Sequence, residues 1–136
     1  MNKQIRENEM TTPILVDPST IVNVQLVYRY IRPVKLRHGI SFHCLLVLLS
    51  AYLLNRYGKN KYHSINSVVK IGYFNNNKTK YYLNKLIDKG FINSSIDKFN
   101  RITYFITQAG VNVVGEIQES YDLTLFRFCS KYNIEL

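Results

Sequence analysis

Apolar positions recur along this chain at two periods. Between Asn75 and Lys89 they fall at Thr79, Tyr82, Leu83, Leu86 and Ile87, steps of three and four that trace one face of a helix. Lys78, Lys80, Tyr81, Asn84 and Lys85 occupy the opposite face. Asn75-Asn76-Asn77 is a helix-start signal in which any of the three can be the cap, and Gly90 is placed to act as C-cap. From Ser41 to Leu54 the run is apolar almost all round, which predicts a central core helix. Ahead of it, Asp17-Pro18 reads as an N-cap followed by proline at the first helical position. The helix opened there puts Ile21, Val24, Tyr28 and Ile31 on one face, and Pro33 ends or bends it, although the β-branched residues Ile21, Val22, Val24 and Val27 also permit a strand.

Ser64 caps a short helix over Ile65 to Ile71, and Gly72-Tyr73-Phe74 forms the turn before Asn75, glycine permitting the backbone reversal and Phe74 stapling the turn to the core. Past Gly90 the pattern changes to β-type runs, Phe91 to Ile96 and Arg101 to Ile106, joined by the turn formers Asp97-Lys98-Phe99-Asn100. Thr107-Gln108-Ala109-Gly110 then opens a helix carrying Val113, Val114, Ile117 and Tyr121, and Asp122 is placed to cap a last helix with Leu125, Phe126, Phe128 and Cys129. Residues 1–12 have few apolar anchors and read as a mobile arm, with 13–136 as a single domain. The predicted fold is mainly α with a small β-hairpin wing, a winged helix-turn-helix. Surplus apolar residues in its first helix and its aromatic C-terminal segment suit contact with a second subunit.

Charge sharpens this picture. The chain of 136 residues is 46% apolar, enough for one domain with a real core, and carries a net charge of +9. Residues 29–101 hold fourteen Lys or Arg against only Asp88 and Asp97, so the excess is a regional field. A basic surface serves nucleic acid, anionic membrane or an acidic protein. Here it coincides with a candidate reading helix and hairpin, which favours nucleic acid. Cys44 and Cys129, with His38, His43 and His63, have no metal-ligand spacing, and no phosphate-binding glycine loop, catalytic carboxylate pair or nucleophile motif is present. No metal, cofactor or enzymatic activity is expected. Met1 to Met10 lacks the apolar core of a signal peptide, and Ile40 to Leu54 is shorter than the roughly 20 residues of a membrane span, so the expectation is a cytoplasmic protein with reduced cysteines and no membrane partner.

Three stretches carry a family resemblance: Gly39-Ile40-Ser41-Phe42-His43 before the core helix, Leu83 and Leu86 ahead of Asp88-Lys89-Gly90-Phe91-Ile92, and Arg101-Ile102-Thr103-Tyr104-Phe105-Ile106-Thr107-Gln108-Ala109-Gly110 after the hairpin. In this order and spacing, over residues 18–121, the chain resembles the winged helix-turn-helix regulators of the MarR type and, more loosely, the PadR type. The resemblance implies a homodimer held by N- and C-terminal helices, with helix 75–89 in the major groove and the wing over 91–106 beside the minor groove. It departs from the family at the wing tip, where an acidic-arginine-arginine cluster is usual and this chain has Asp97-Lys98-Phe99-Asn100-Arg101, with one arginine.

The candidate DNA-binding residues are Asn75, Asn76, Asn77, Lys78, Lys80, Tyr81, Asn84, Lys85, Lys98 and Arg101. Each also has a plainer role: lysines coat any solvated helix face, asparagines cap helices, and tyrosines pack. Three lysines and Tyr81 sharing one face with almost no acid nearby favour DNA. Asparagine amides can cap and also pair with adenine, and Arg101 is the wing's single candidate for the minor groove. The expected function is a sequence-specific double-stranded DNA-binding transcriptional regulator, with a small-molecule effector left open. The alternatives are a winged-helix protein of replication or mobile-element maintenance and a protein-interaction module for an acidic partner.

Overall fold

The computed structural model describes residues 16–58, 63–72 and 74–135, so the arm over 1–12 and Tyr73 of the turn lie outside the described residues. Asp17 is extended and its carboxylate accepts a hydrogen bond from Ser19 N at 2.9 Å, which opens α1, Pro18–His38, with proline in the first turn. Pro33 does not end this helix. Its side chain is exposed, the helix runs on to His38, and the stop comes at Gly39 in the left-handed conformation, φ 62°. The face read from Ile21, Val24, Tyr28 and Ile31 is split. Val22, Leu26, Ile31 and Val34 are buried, whereas Ile21, Val24 and Tyr28 face solvent. α1 is apolar on two sides, and periodicity does not say which one the core takes.

α2, Phe42–Tyr57, is the central helix, capped by Ser41 and burying Cys44, Leu45, Val47, Leu48, Ser50 and Ala51. It packs against every other helix and against β2. No single helix among the described residues is long and apolar enough to cross a membrane. α3, Ile65–Ile71, and α4, Asn76–Asp88, form the helix-turn-helix. Gly72 between them does not supply a left-handed reversal: at φ −80° and ψ 172° it is ordinary extended backbone, and its N–H closes α3 on Val68 O at 2.9 Å. Phe74 does pack against the core.

The end of α4 needs its glycine for a reason of conformation. Lys89, and not Gly90, is the cap; Gly90 follows at φ +79°. Gly90 N bonds Ile87 O and Phe91 N bonds Leu86 O, both at 2.9 Å, which satisfies the last carbonyls in a Schellman closure. Phe91 is buried ahead of β1, Ile92–Ile96, which pairs antiparallel with β2, Ile102–Ile106, from Ile92↔Ile106 to Ile96↔Ile102. The strands are each one residue shorter at their N-terminal ends than the sequence pattern suggested, because Phe91 turns into the core and Arg101 belongs to the tip. Beside the two-stranded wing, His63 forms an isolated antiparallel bridge with Tyr104, through His63 N to Tyr104 O at 3.0 Å and Tyr104 N to His63 O at 2.8 Å.

α5, Gln108–Tyr132, is one continuous helix. Asp122 caps nothing; it accepts from Gln118 Nε2 one turn earlier at 3.1 Å. The helix starts at Thr107 and presses Gly110 against the chain before the wing, where any Cβ would stand 2.2 Å from Phe91 O. α1 and α5 lie side by side. Ser120 Oγ donates to Tyr30 O at 2.8 Å, the Tyr30 and Tyr121 rings meet edge-on at 5.1 Å, and Glu116 receives both Arg37, at 3.1 Å, and His38.

Candidate nucleic-acid interface

The site is built on the rigid side of α4. Thr79, Leu83 and Leu86 are fully buried against α2, which fixes the helix axis and leaves the other face free. Asn75 is the cap among the three asparagines: its Oδ1 accepts from Lys78 N at 2.9 Å. Asn76, Asn77 and Lys78 therefore make up an exposed first turn at the positive end of the helix dipole, with the Lys78 N–H already taken by the cap. Lys80, Tyr81, Asn84 and Lys85 are exposed further along.

The structure divides these residues between two neighbourhoods. Lys80 and Arg101 line one open groove with Ser64, Asn66 and Ile102, so the reading helix and the wing meet across it. Lys85 turns the other way. Its ammonium sits 4.9 Å from the centre of the Tyr81 ring, and hydrogen bonding to Tyr81 holds its pKa above the ordinary lysine value. Lys85 and Lys89 border a second groove with Ser41, Cys44 and Asp88, beside the start of α2. Sequence spacing could not reveal this pairing of cations with Cys44. Burial nevertheless pushes the Cys44 thiol up against the pull of both lysines, and Cys129 is a half-buried free thiol.

Two features were not singled out from sequence. The first is an aromatic cluster joining α2 to α4. The His43 ring packs 5.0 Å from Phe74 and 5.9 Å from Tyr82, and His43 Nδ1 is 3.1 Å from the Tyr82 hydroxyl. The periodic pattern marked Tyr82 as an inward residue but carried no sign of His43 as its partner. The second is the bracing of the wing tip by Asp97. Asp97 Oδ1 accepts from Phe99 N and Arg101 N, each at 2.9 Å, and Oδ2 accepts from Arg101 Nε at 3.1 Å. These bonds, led by that from Arg101 N, hold the Asp97 carboxyl below its ordinary pKa. Arg101 is thus folded back over its own turn, and Phe99 projects between Lys98 and Arg101.

A helix-turn-helix whose second helix is exposed along one face, followed by a two-stranded wing and flanked by paired long helices, is shared by solved structures. MepR of S. aureus in complex with DNA matches 81% of this chain and 80% of its own at 14% identity, TM-score 0.66. The fold is the MarR-type winged helix. A mutant of MarR from E. coli matches 90% and 88% of the two chains at 13% identity, TM-score 0.63, and YusO of Bacillus subtilis matches 82% and 79% at 16% identity, TM-score 0.62. No protein-family model matches the sequence, and no curated protein sequence does. In this MarR-type frame α3 and α4 are the helix-turn-helix, β1 and β2 are the wing, and α1 with α5 flanks them.

An apolar cavity outside the reading face lies between α1 and α2, lined by Val27, Tyr28, Ile31 and Phe42, with Arg32 and Lys35 bordering it. Among the described residues no three His, Cys, Asp or Glu side chains come together in a way that could hold a metal ion.

Proposed function

We propose that this protein is a double-stranded DNA-binding transcriptional regulator that acts as a two-fold dimer and reads a specific sequence with α4. The observation that carries the reading is the exposed face of α4: Asn76, Asn77, Lys78, Lys80, Tyr81, Asn84 and Lys85 stand exposed on a helix anchored from behind, with the first acidic residue only at Asp88. A solvated coat would serve with cations scattered anywhere; here Lys80 faces Arg101 of the wing across one groove, and Lys85 stands with Lys89 beside the start of α2. The MepR neighbour was solved in complex with DNA, which supports DNA as the ligand. In this reading the first turn of α4 enters the major groove, the wing lies beside the minor groove, and Asn77 and Tyr81 are the candidates for base edges.

The dimer rests on the outer faces of α1 and α5. Val24 is 70% exposed, as is Phe126, and Ile21, Tyr28, Leu36, Leu123 and Tyr132 add to an apolar surface that nothing among the described residues covers. Two-fold pairing there would set the two reading helices about 34–36 Å apart, one turn of duplex.

The test starts by selecting bound duplexes from a random pool, followed by titration of Lys80→Ala, Tyr81→Ala and Arg101→Ala on selected and scrambled duplexes at several salt concentrations. A lysine on phosphate, once removed, weakens all sequences and lowers the log-log salt slope by about 0.9. A base-reading residue costs about 1–3 kcal/mol on the selected site alone. Wild-type affinity and slope in all three variants would refute the reading and leave an acidic protein partner as the better account of the charge.

A further inference from the structure

The wing tip carries an apolar side chain where a DNA-contacting hairpin needs only charge. Phe99 is 64% exposed, and the closing pair of the ladder, Ile96 opposite Ile102, is 68% and 48% exposed. The ring is not loose. Asn100 takes the left-handed conformation at φ 61°, Asn100 N bonds Asp97 O at 3.0 Å, Asp97 N bonds Arg101 O at 2.9 Å, and the Asp97 carboxylate holds the backbone of both Phe99 and Arg101. The turn is therefore tied at four backbone positions around the residue it presents. Lys98 Nζ lies 5.1 Å and the Arg101 guanidinium 4.9 Å from the ring centre. An aromatic ring on a braced tip, bracketed by two cations, matches the design of a minor-groove wedge: the cations meet the phosphates on either side while the ring enters between base pairs.

We propose that Phe99 inserts at a base step in the minor groove beside the α4 half-site and kinks the duplex there. The proposal rests on the DNA-binding reading above and adds a second source of specificity to it. Pyrimidine–purine steps such as TA and CA unstack with least effort, so the wing selects flanking sequence through deformability, at positions α4 does not touch. Arg101, bound to Asp97 and lying over the ring, then supports the wedge in place of reaching into the groove itself. A purely ionic partner would use the cations and gain nothing from a ring on the braced tip; a protein partner with an apolar pocket is the rival occupant.

The experiment uses the full chain and its selected duplex, with 2-aminopurine placed at successive flanking steps and donor and acceptor dyes at the duplex ends. The wild type should raise 2-aminopurine emission at one step on each side and shorten the end-to-end distance, by a bend on the order of 20–90°. Phe99→Ala should leave emission at the free-duplex level, straighten the duplex and weaken binding about tenfold where the flank holds a TA step, the scale of one lost base-step contact. Phe99→Leu keeps an apolar wedge and should retain the bend. Lys98→Ala should lower the salt slope with the bend intact. Duplex binding by the wild type with no bend and no change of emission overturns the wedge and leaves the DNA reading standing. Failure of the wild type to bind any duplex sinks both. Phe99→Ala that binds and bends DNA normally but loses self-association assigns the tip to a protein contact and overturns the proposal.

Discussion

α4 and α1 are both amphipathic helices packed on α2, and they differ in what they leave outside. α4 buries Thr79, Leu83 and Leu86 and exposes amides, lysines and a tyrosine; α1 buries Val22, Leu26, Ile31 and Val34 and exposes Ile21, Val24, Tyr28 and Leu36 along with its arginines. The same core therefore carries two outward faces with opposite demands. A polar, cationic face is content in water and gains from an anion, whereas an apolar face gains only by being covered. On the proposed reading, duplex DNA meets the first face and a second copy of the chain covers the other.

The comparison can be broken most forcefully at α1. Val24→Asp, paired with Phe126→Asp on α5, places charge on surfaces with no structural role inside one chain, so the thermal midpoint should hold. Sedimentation at tens of micromolar should show monomer, and affinity for a two-half-site duplex should drop by about 100-fold or more as the two reading helices lose their linkage. A variant that stays dimeric sends the subunit contact elsewhere. The inward side of α4 gives the next largest effect. Leu86→Ala empties a fully buried position and should cost about 2–5 kcal/mol in denaturant unfolding, and DNA binding should fail only as the fold does.

At the start of α4 a smaller change separates capping from reading. Asn75→Ala removes the bond to Lys78 N and should cost about 1 kcal/mol of stability, measured in the same way, with specificity for the selected site unaltered. Altered sequence preference at unchanged stability would make Asn75 a base reader. The smallest effect is the acid limb of stability. His38 first, then Arg37, keep the Glu116 carboxyl below its ordinary value of 4.5. A lowered carboxylate pKa means that the unfolded chain takes up the proton first, so Glu116 stabilises the fold above that value and loses its contribution as pH falls through the folded pKa. Glu116→Gln should lower stability near pH 7, where the contribution is full, and should flatten the profile below about pH 4.5 so that variant and wild type converge there. A parallel curve with undiminished slope would show that the Arg37–Glu116–His38 contact between α1 and α5 contributes nothing.

What the sequence determined by itself was the set of local elements and their order. Asp17-Pro18, Ser41, Ser64, Asn75 and Thr107 start helices because a short oxygen-bearing side chain satisfies the first free N–H groups wherever it stands, and that chemistry needs no tertiary partner. The polar face of α4 was legible for a similar reason, since period and charge together leave one side for water. Tertiary structure decided the rest. It chose between the two apolar sides of α1, carried that helix past Pro33 and α5 past Asp122, and bridged His63 to Tyr104 of the wing, because the packing of a long helix and the pairing of a strand depend on surfaces far away in the chain. It also separated Lys80 from Lys85, one facing the wing and the other the start of α2. And it set Phe99 between two cations on a turn braced by Asp97. A periodic pattern records which residues avoid water; it does not record where a four-residue turn points them.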